Sequence, residues 1–526
     1  MNKHVVVEAL AGTGKTTTLV TGMKLWLKPG GKPKFSPSPQ QEAIWETLQE
    51  LPRPKTVLFC AFNKSIEEEL KKRVPTGCVA STIHSLGSKA LRNTYGYLRL
   101  NNNWKTDNLI EILVEKDIRE YRRYEPGKYF ALKKAYDMAR LSLLGFEMDS
   151  WYPDGITMEQ FMEVINKYEI DCDGQEDEIL DMVKQLLDMG SDLSDRKEID
   201  FTDMIWLPTV LGARIDRYDA VFVDEAQDLN ACQQELVLKA AKSNVVACGD
   251  VNQAIYGFAG ADTDSIPNLV GRLEELGGVT RLPLTVTYRC GREIVEVARQ
   301  VVPEYEAHFT NSEGRVETIG IDVMMDFSGD FRTDPANSGQ RAKLLERIPQ
   351  DGDMVLCRVN APLVSTVFKF LSNGRKANII GRDVAATLKS FIKKMKAEDP
   401  GELLSKAQDF TEKELQKLSK QKFLNDAKMI SLQDRLECVE VFCEGCQTID
   451  EIFEKIDQIF SDQSCTGVRF SSIHRAKGLE SDRVFILYPE LLPHPMAKTP
   501  WQQQQEHNLK YVAITRAINT LYFVRG

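Results

Sequence analysis

Ala9-Leu10-Ala11-Gly12-Thr13-Gly14-Lys15-Thr16-Thr17-Thr18 decides the fold. It follows a short apolar run, His4 to Leu10, and leads into a helical pattern reaching Leu27. A glycine-rich turn between a strand and a helix, closed by Gly-Lys-Thr, is a P-loop in the context that confirms one. Gly12 and Gly14 let the backbone N–H groups of Ala11 to Thr17 close around phosphate oxygens at a helix N-terminus, where the dipole favours anions. Lys15 then reaches the β- and γ-phosphates of ATP, and the Thr16 hydroxyl ligates Mg²⁺. Ala9 stands where the strict pattern has glycine. A glycine turn can be purely structural, but Gly-Lys-Thr in this setting weighs against that.

Outward from this turn, β-branched runs recur at Thr56 to Phe62, Cys78 to Thr82, Ala220 to Asp224 and Asn244 to Gly249, each followed by a polar turn and a helical pattern. Such alternation predicts a doubly wound parallel sheet. A second series predicts a second α/β core: Asp353 to Arg358, Asn378 to Gly381, Val468 to Ile473, Arg483 to Tyr488, Tyr511 to Ile514 and Thr520 to Val524. From about Asn93 to Lys197, and again from about Thr387 to Gln463, the periodicity is helical with no convincing strand. Both stretches read as insertions within the sheet domains. The expected division is 1–92 with 198–283 around an insertion at 93–197, then 284–386 with 464–526 around a small insertion at 387–463.

Ala220-Val221-Phe222-Val223-Asp224-Glu225-Ala226-Gln227-Asp228 puts two acids at the C-terminal end of an apolar strand, the edge where open α/β sheets bind ligands. Asp224 is suited to hold Mg²⁺, and Glu225 to orient and deprotonate an attacking water. The alternative, a solvated acidic turn, loses force beside a P-loop. These residues define a nucleotide triphosphatase.

Four further segments narrow the class. They are Cys248-Gly249-Asp250-Val251-Asn252-Gln253-Ala254-Ile255-Tyr256-Gly257-Phe258, Leu284-Thr285-Val286-Thr287-Tyr288-Arg289-Cys290, Ser471-Ser472-Ile473-His474-Arg475-Ala476-Lys477-Gly478-Leu479-Glu480 and Tyr511-Val512-Ala513-Ile514-Thr515-Arg516-Ala517. With the P-loop and Asp-Glu-Ala-Gln-Asp, this ordered series resembles the UvrD/Rep-type branch of superfamily 1 DNA helicases, F-box DNA helicases among them. The resemblance runs from Val5 to Val524, and the two insertions match by position only. It implies two RecA-like P-loop domains in tandem, with ATP in a cleft and single-stranded DNA across their tops. By position, Gln253 senses the γ-phosphate, Arg289 and Arg516 reach it from the second domain, Tyr288 stacks on adenine, and Glu480 beside Gly478 contacts the ribose. A loose phosphoryl-transfer transition state needs cations placed only when the cleft closes, which would tie hydrolysis to domain motion.

The family carries an adenine-reading glutamine upstream of the P-loop, whereas the similar segment here, Pro37-Ser38-Pro39-Gln40-Gln41-Glu42-Ala43-Ile44, lies downstream. Gln40 or Gln41 is expected to fold back to the base; a capped surface helix is the competing reading. Tracking a single strand needs stacking platforms and backbone contacts. The family's motif positions point to Phe62, Asn63 and Lys64, Thr82 and His84, Tyr256 and Phe258 in the first core, and to Arg358, Asn360 and His474 in the second. Core packing is the bland alternative for Phe62 and Tyr256. Cys438, Cys443, Cys446 and Cys465 have an iron–sulfur-like spacing. However, Arg435 to Cys446 reads as a helix whose apolar face holds Leu436, Val439 and Phe442, where cysteine serves as a small hydrophobe.

The formal net charge of -10 sits awkwardly with a nucleic-acid partner. Yet residues 171–200 hold eleven acids against three bases, so one segment carries most of the excess. It marks a face that DNA avoids or that a protein partner uses. No apolar run is long enough to span a bilayer, and Met1 to His4 do not open a signal peptide, so the expected location is the cytoplasm. The expected function is an ATP- and Mg²⁺-dependent monomeric motor. It moves 3′→5′ on single-stranded DNA and unwinds duplex at single/double-strand junctions. Its rivals are a translocase that strips proteins without unwinding, and an ATP-gated DNA-binding switch serving a partner nuclease.

Overall fold

The structure is a computed structural model; it describes every residue except Met1, Phe62, Asn103, Met148, Glu169, 195–196, 256–263, 326–346, 420–425 and 461–466. The chain divides into two compact units, Met1–Thr285 and Val286–Gly526.

The first unit begins with β1 (His4–Ala9), α1 (Lys15–Leu27), α2 (Pro39–Glu50), β2 (Val57–Ala61), α3 (Lys64–Arg73), β3 (Cys78–Thr82) and α4 (Ile83–Tyr95). Helices α5 (Lys105–Val114), α6 (Ile118–Tyr124), α7 (Pro126–Leu141), α8 (Met158–Lys167), α9 (Glu176–Ser191) and α10 (Asp203–Val210) follow. The unit closes with β4 (Tyr218–Val223), α11 (Ala231–Ala240), β5 (Ala241–Gly249), α12 (Ser265–Glu275) and β6 (Val279–Leu284). Its sheet has the order β6-β1-β5-β4-β2-β3 and is parallel throughout. Val5 to Val7, Val57 to Ala61 and Ala220 to Val223 are buried on both faces, as strands covered by helices on either side must be. Because every strand runs the same way, all the turns that follow them open at one edge.

In the second unit come α13 (Arg292–Arg299), β7 (Arg315–Gly320), β8 (Met354–Cys357), α14 (Ala361–Ser372) and β9 (Ala377–Ile379). Four helices, α15 (Arg382–Met395), α16 (Pro400–Ser419), α17 (Asp426–Cys443) and α18 (Ile449–Ile459), precede β10 (Val468–Ser472), β11 (Ser481–Leu487), α19 (Pro500–Ile514) and β12 (Ala517–Arg525). This sheet is also parallel, in the order β7-β12-β11-β8-β10-β9.

Tyr511 to Ile514, expected as a strand, is instead the last turn of α19. The helix starts at a capping box, Thr499 with Gln502, and carries Pro500 in its first turn. Its C-terminal turn is buried all round, so the apolar run shows no helical period and mimics a strand. Strands β6 and β7 were not expected. They are sheet edges whose sequences, Val-Thr-Arg-Leu-Pro-Leu and Arg-Val-Glu-Thr-Ile-Gly, are interrupted by polar residues, and an edge tolerates Pro283 because one side needs no ladder hydrogen bond. The helical stretch 93–197 also holds two-residue strands: Arg99–Leu100, which pairs with Glu198–Ile199 just beyond it, and Phe146–Glu147, which pairs with Ser150–Trp151. Two residues are too few to show a period. Cys438 is buried on α17 beside Val439 and Phe442. Cys465 lies outside the described residues, among which no cluster of three metal-ligating side chains occurs.

Candidate functional site

The P-loop joins β1 to α1. Gly12 and Gly14 adopt φ of 68° and 80°, left-handed values that favour glycine, and Gly14 caps α1. Thr13 fixes the turn by donating its hydroxyl to the Leu10 carbonyl at 2.9 Å. The end of β4 faces it across the end of β5. The Thr16 hydroxyl donates to Asp224 Oδ2, and Lys15 Nζ lies 3.4 Å from Glu225 Oε2. Glu225 itself has φ 53°, a costly conformation for a residue with a Cβ, and its N–H bonds the Asp224 carboxylate at 3.0 Å.

Electrostatics at this edge are unbalanced in a way that suits a phosphate–metal ligand. Burial works to lower the Lys15 pKa, but Glu225, Asp250 and Asp224 reverse it and hold the ammonium charged. Burial, then the Glu225 charge, pushes Asp224 up to about 6 against the opposing pull of Thr16 and Lys15. Asp250 is likewise raised by burial. Asp224 is thus a buried acid short of positive charge, set beside a hydroxyl. Two such hard oxygens fit Mg²⁺.

A hydrogen-bond relay extends from Glu225. Gln227 Nε2 donates to Glu225 Oε2 at 2.6 Å, and Gln227 Oε1 accepts from the Asp250 N–H at 2.9 Å. The Asp250 carboxylate in turn accepts from Gln253 Nε2 at 2.6 Å. Gln227 and Asp250 lie inside the Asp-Glu-Ala-Gln-Asp and Gly-Asp-Val-Asn-Gln segments, but spacing alone gives neither a role. Gly249 makes room for the relay, since a Cβ there would lie 2.6 Å from Gln227 Oε1.

Gln41 is buried and committed to structure. It completes the α2 capping box with Ser38 and donates to Thr18 Oγ1 at 2.8 Å on α1. Gln40 is half-buried and holds the residue after β6: Thr285 N–H donates to its Oε1 at 2.8 Å, and its Nε2 donates to Thr285 Oγ1 at 2.9 Å. Arg73, at the end of α3, donates to Thr17 Oγ1 at 3.0 Å. Its place in a Lys-Lys-Arg run gave no signal of this. Asn63 and Thr82 are N-caps of α3 and α4, accepting from Ile66 N–H and Ser85 N–H, while Lys64 is exposed and His84 half-buried. Burial lowers the His84 pKa. Phe62, Tyr256 and Phe258 lie outside the described residues.

The second unit gathers its own set. Arg289 Nε pairs with Glu480 Oε2 at 2.7 Å, and its Nη1 donates to the Thr515 carbonyl at 3.3 Å. Tyr288, next to it, lies against His308 with ring centroids 4.5 Å apart. Arg516 is buried, donating from Nε to Val512 O and from Nη1 to Leu479 O. Burial first, then Arg289, lowers its pKa to about 10, so it remains a cation at neutral pH. Gly478 turns the chain with φ 83° two residues before Glu480. Midway along α19, Glu506 makes a two-pronged ion pair with Arg358, whose Nε and Nη2 lie 2.8 and 2.6 Å from its Oε1. Asn360 and Ala361 N–H groups both donate to Asp434 on α17. Burial, then Arg358, depresses the His474 pKa strongly, leaving a neutral imidazole.

A P-loop facing two strand-end acids on a parallel sheet defines the class, a P-loop nucleotide triphosphatase fold. Residues 1–272 match the UvrD/REP helicase N-terminal domain, and residues 467–524 match the UvrD-like helicase C-terminal domain. The chain belongs to the UvrD/REP helicase family. It is 22% identical to F-box DNA helicase protein 1 of Schizosaccharomyces pombe, over 97% of this chain and 54% of that protein. The identity to F-box DNA helicase 1 of Gallus gallus is 23%, over 98% and 46%. To the ATP-dependent DNA helicase PcrA of Staphylococcus aureus it is 25%, over 64% and 60%. The chain therefore spans about half the length of the curated relatives it matches. No helix among the described residues is long and apolar enough to cross a membrane.

Proposed function

We propose that this chain is an ATP-dependent DNA motor that moves 3′→5′ along single-stranded DNA and unwinds duplex at its junction with a single strand. The observation that carries the reading is the nucleotide site in which Lys15 pairs with Glu225 and Glu225 is bonded through Gln227 and Asp250 to Gln253, in a chain of the UvrD/REP helicase family. This relay supports a coupling of hydrolysis to the turn that follows β5.

Lys15 and the P-loop amides bind the β- and γ-phosphates, and Glu225 takes the proton of the attacking water. Thr16 and Asp224 would hold Mg²⁺, which supplies neutralising charge at the phosphate oxygens. Arg289 and Arg516 complete the charge when nucleotide draws the units together, while Tyr288 carries the adenine and Glu480 the ribose. Gln40 or Gln41 reads the base edge, Gln40 by releasing the two hydrogen bonds its amide makes to Thr285 and Gln41 from its place beside the P-loop, where its Nε2 lies 3.7 Å from a Cβ built on Gly14. Asn63, Lys64, Thr82, His84, Arg358, Asn360 and His474, with Phe62, Tyr256 and Phe258, line the strand path, and alternating grip converts the cycle into steps. The exposed acids of 171–200, among them Asp173, Asp177, Asp181 and Asp188, are left for a protein partner, Asp200 being buried against Arg140, and the motor acts as a monomer.

The test is strand displacement on a 3′-tailed duplex, read beside DNA-stimulated ATPase and single-strand translocation. Displacement with 3′→5′ polarity supports the reading. ATPase and translocation without displacement would make the chain a protein-stripping translocase. Nucleotide-dependent DNA binding without translocation would make it a switch.

A further inference from the structure

The Arg358–Glu506 pair is unusually placed for a strand-contacting arginine. Side-chain exposure is 14% for Arg358 and 6% for Glu506, so the pair is largely withdrawn from water. Glu506 also accepts from the His494 N–H at 3.1 Å, which fixes its carboxylate from a second segment. Breaking a buried pair by removing one partner leaves a charge uncompensated, so Arg358 goes where Glu506 goes.

Glu506 belongs to α19, which ends at Ile514, two residues before Arg516. The Thr515 hydroxyl donates to Tyr511 O at 2.8 Å, and Arg516 Nε donates to Val512 O at 2.9 Å, which bolts the arginine to the last helical turn. Between them the helix buries Glu506, Leu509, Tyr511, Val512, Ala513 and Ile514, and its start is locked by the Thr499–Gln502 capping box. From Glu506 to Ile514 the rise is about 12 Å at 1.5 Å per residue. A helix packed on this scale moves as one piece, because close-packed interiors transmit displacement with little give.

We infer that Glu506 is a positioning residue, which links the γ-phosphate-facing Arg516 to the strand-facing Arg358 through the rigid body of α19. It touches neither nucleotide nor DNA; it sets how Arg358 is presented to a DNA phosphate in each nucleotide state. This inference rests on the motor reading above, in which Arg516 meets nucleotide and Arg358 meets DNA.

The experiment measures the affinity of a fluorescein-labelled oligothymidylate for the whole chain, with and without a non-hydrolysable ATP analogue. The readout is the ratio of the two dissociation constants. A ratio of about fivefold or more is expected for the unaltered chain, the usual scale of coupling between sites. In Glu506→Gln the ratio falls toward unity, and Glu506→Asp, which keeps the charge at shorter reach, restores part of it. In an Arg358→Ala background Glu506→Gln changes the ratio no further. A Glu506→Gln chain that keeps the full ratio overturns the inference, as does an effect that simply adds to that of Arg358→Ala. If Glu506→Gln does not fold, Glu506→Asp carries the test, and an unaltered ratio there overturns the inference equally. A chain of native sequence with no DNA-stimulated hydrolysis overturns the motor reading itself, a distinguishable result.

Discussion

The Thr16 hydroxyl donates directly to the Asp224 carboxylate, joining the first turn of α1 to the end of β4 across more than two hundred residues of sequence. This contact brings the phosphate loop and the strand-end acids into one site. It also leaves Asp224 buried next to the Glu225 charge, with a pKa raised to about 6.

Asp224→Asn should therefore abolish function and stabilise the metal-free protein. A group whose pKa rises on folding contributes stability in full below its unfolded pKa and loses it as pH climbs through the folded value. Above about pH 6 the ionised Asp224 is a burden that asparagine removes, a gain of up to about 3 kcal/mol. Thermal melts in magnesium-free buffer should show the variant more stable at pH 7.5, with the gap shrinking as pH falls below 6. ATPase should drop by about two orders of magnitude or more. A variant less stable than the parent at pH 7.5 would contradict the electrostatic account.

Lys15→Ala removes the cation that Glu225, Asp250 and Asp224 surround. Steady-state phosphate release should fall by roughly 100-fold or more, since both phosphate contact and charge balance go together. Substantial residual hydrolysis would overturn the nucleotide site as described.

What could be read from residues alone follows burial and locality. The P-loop and the strands β1, β2, β4 and β5 were legible because covered parallel strands are continuous apolar runs. The edges β6 and β7 were not, because one open side admits Arg281, Pro283 and Glu317. Tyr511 to Ile514 misled for the opposite reason, being a helical turn with no exposed face. Site residues fared similarly. Lys15, Thr16, Asp224 and Glu225 announce themselves by spacing. Gln227, Asp250 and Arg73 acquire a role only when β4, β5 and α3 bring them to the loop. Arg358 and Asn360 show the reverse: motif position marked them for DNA, and the fold adds carboxylate partners, Glu506 and Asp434, that no local pattern reveals.

Gly249→Ala should break the relay while leaving the P-loop intact. A Cβ at this position would lie 2.6 Å from Gln227 Oε1, 3.0 Å from Gln227 N and 2.8 Å from Ile266 Cδ1, so Gln227 must shift. The backbone is not in the left-handed region, and the effect is therefore steric. Displacing Glu225's partner by even an ångström lowers kcat on the order of 100-fold. Binding of a fluorescent ATP analogue should persist. Equal loss of binding and turnover would show that Gly249 supports the whole site and not the relay.

Arg140 offers a separate test of how the helices of 93–197 are held. Its side chain is 1% exposed, bonded through Nη1 to Asp200 and Asp203 and through Nη2 to Asp137, and it lies over the Tyr136 ring at 4.3 Å. Lys105 joins the same cluster by pairing with Asp203 and donating to the Gly190 carbonyl. The group ties α5, α7 and α9 to α10, which packs on the sheet unit through α4. Arg140→Met should cost about 3–5 kcal/mol, because Asp200 loses its ion-pair partner and lies beside Asp203, whose charge Lys105 alone then balances. The loss is an orphaned-charge penalty more than a lost attraction. Adding Asp200→Asn to Arg140→Met should therefore recover part of it, although the double variant retains fewer ionic contacts than either parent. Urea denaturation followed by tryptophan fluorescence reads this directly, Trp206 lying beside the cluster. If the double variant is no more stable than Arg140→Met, the cluster stabilises through packing around the guanidinium, and charge compensation is not what holds these helices in place.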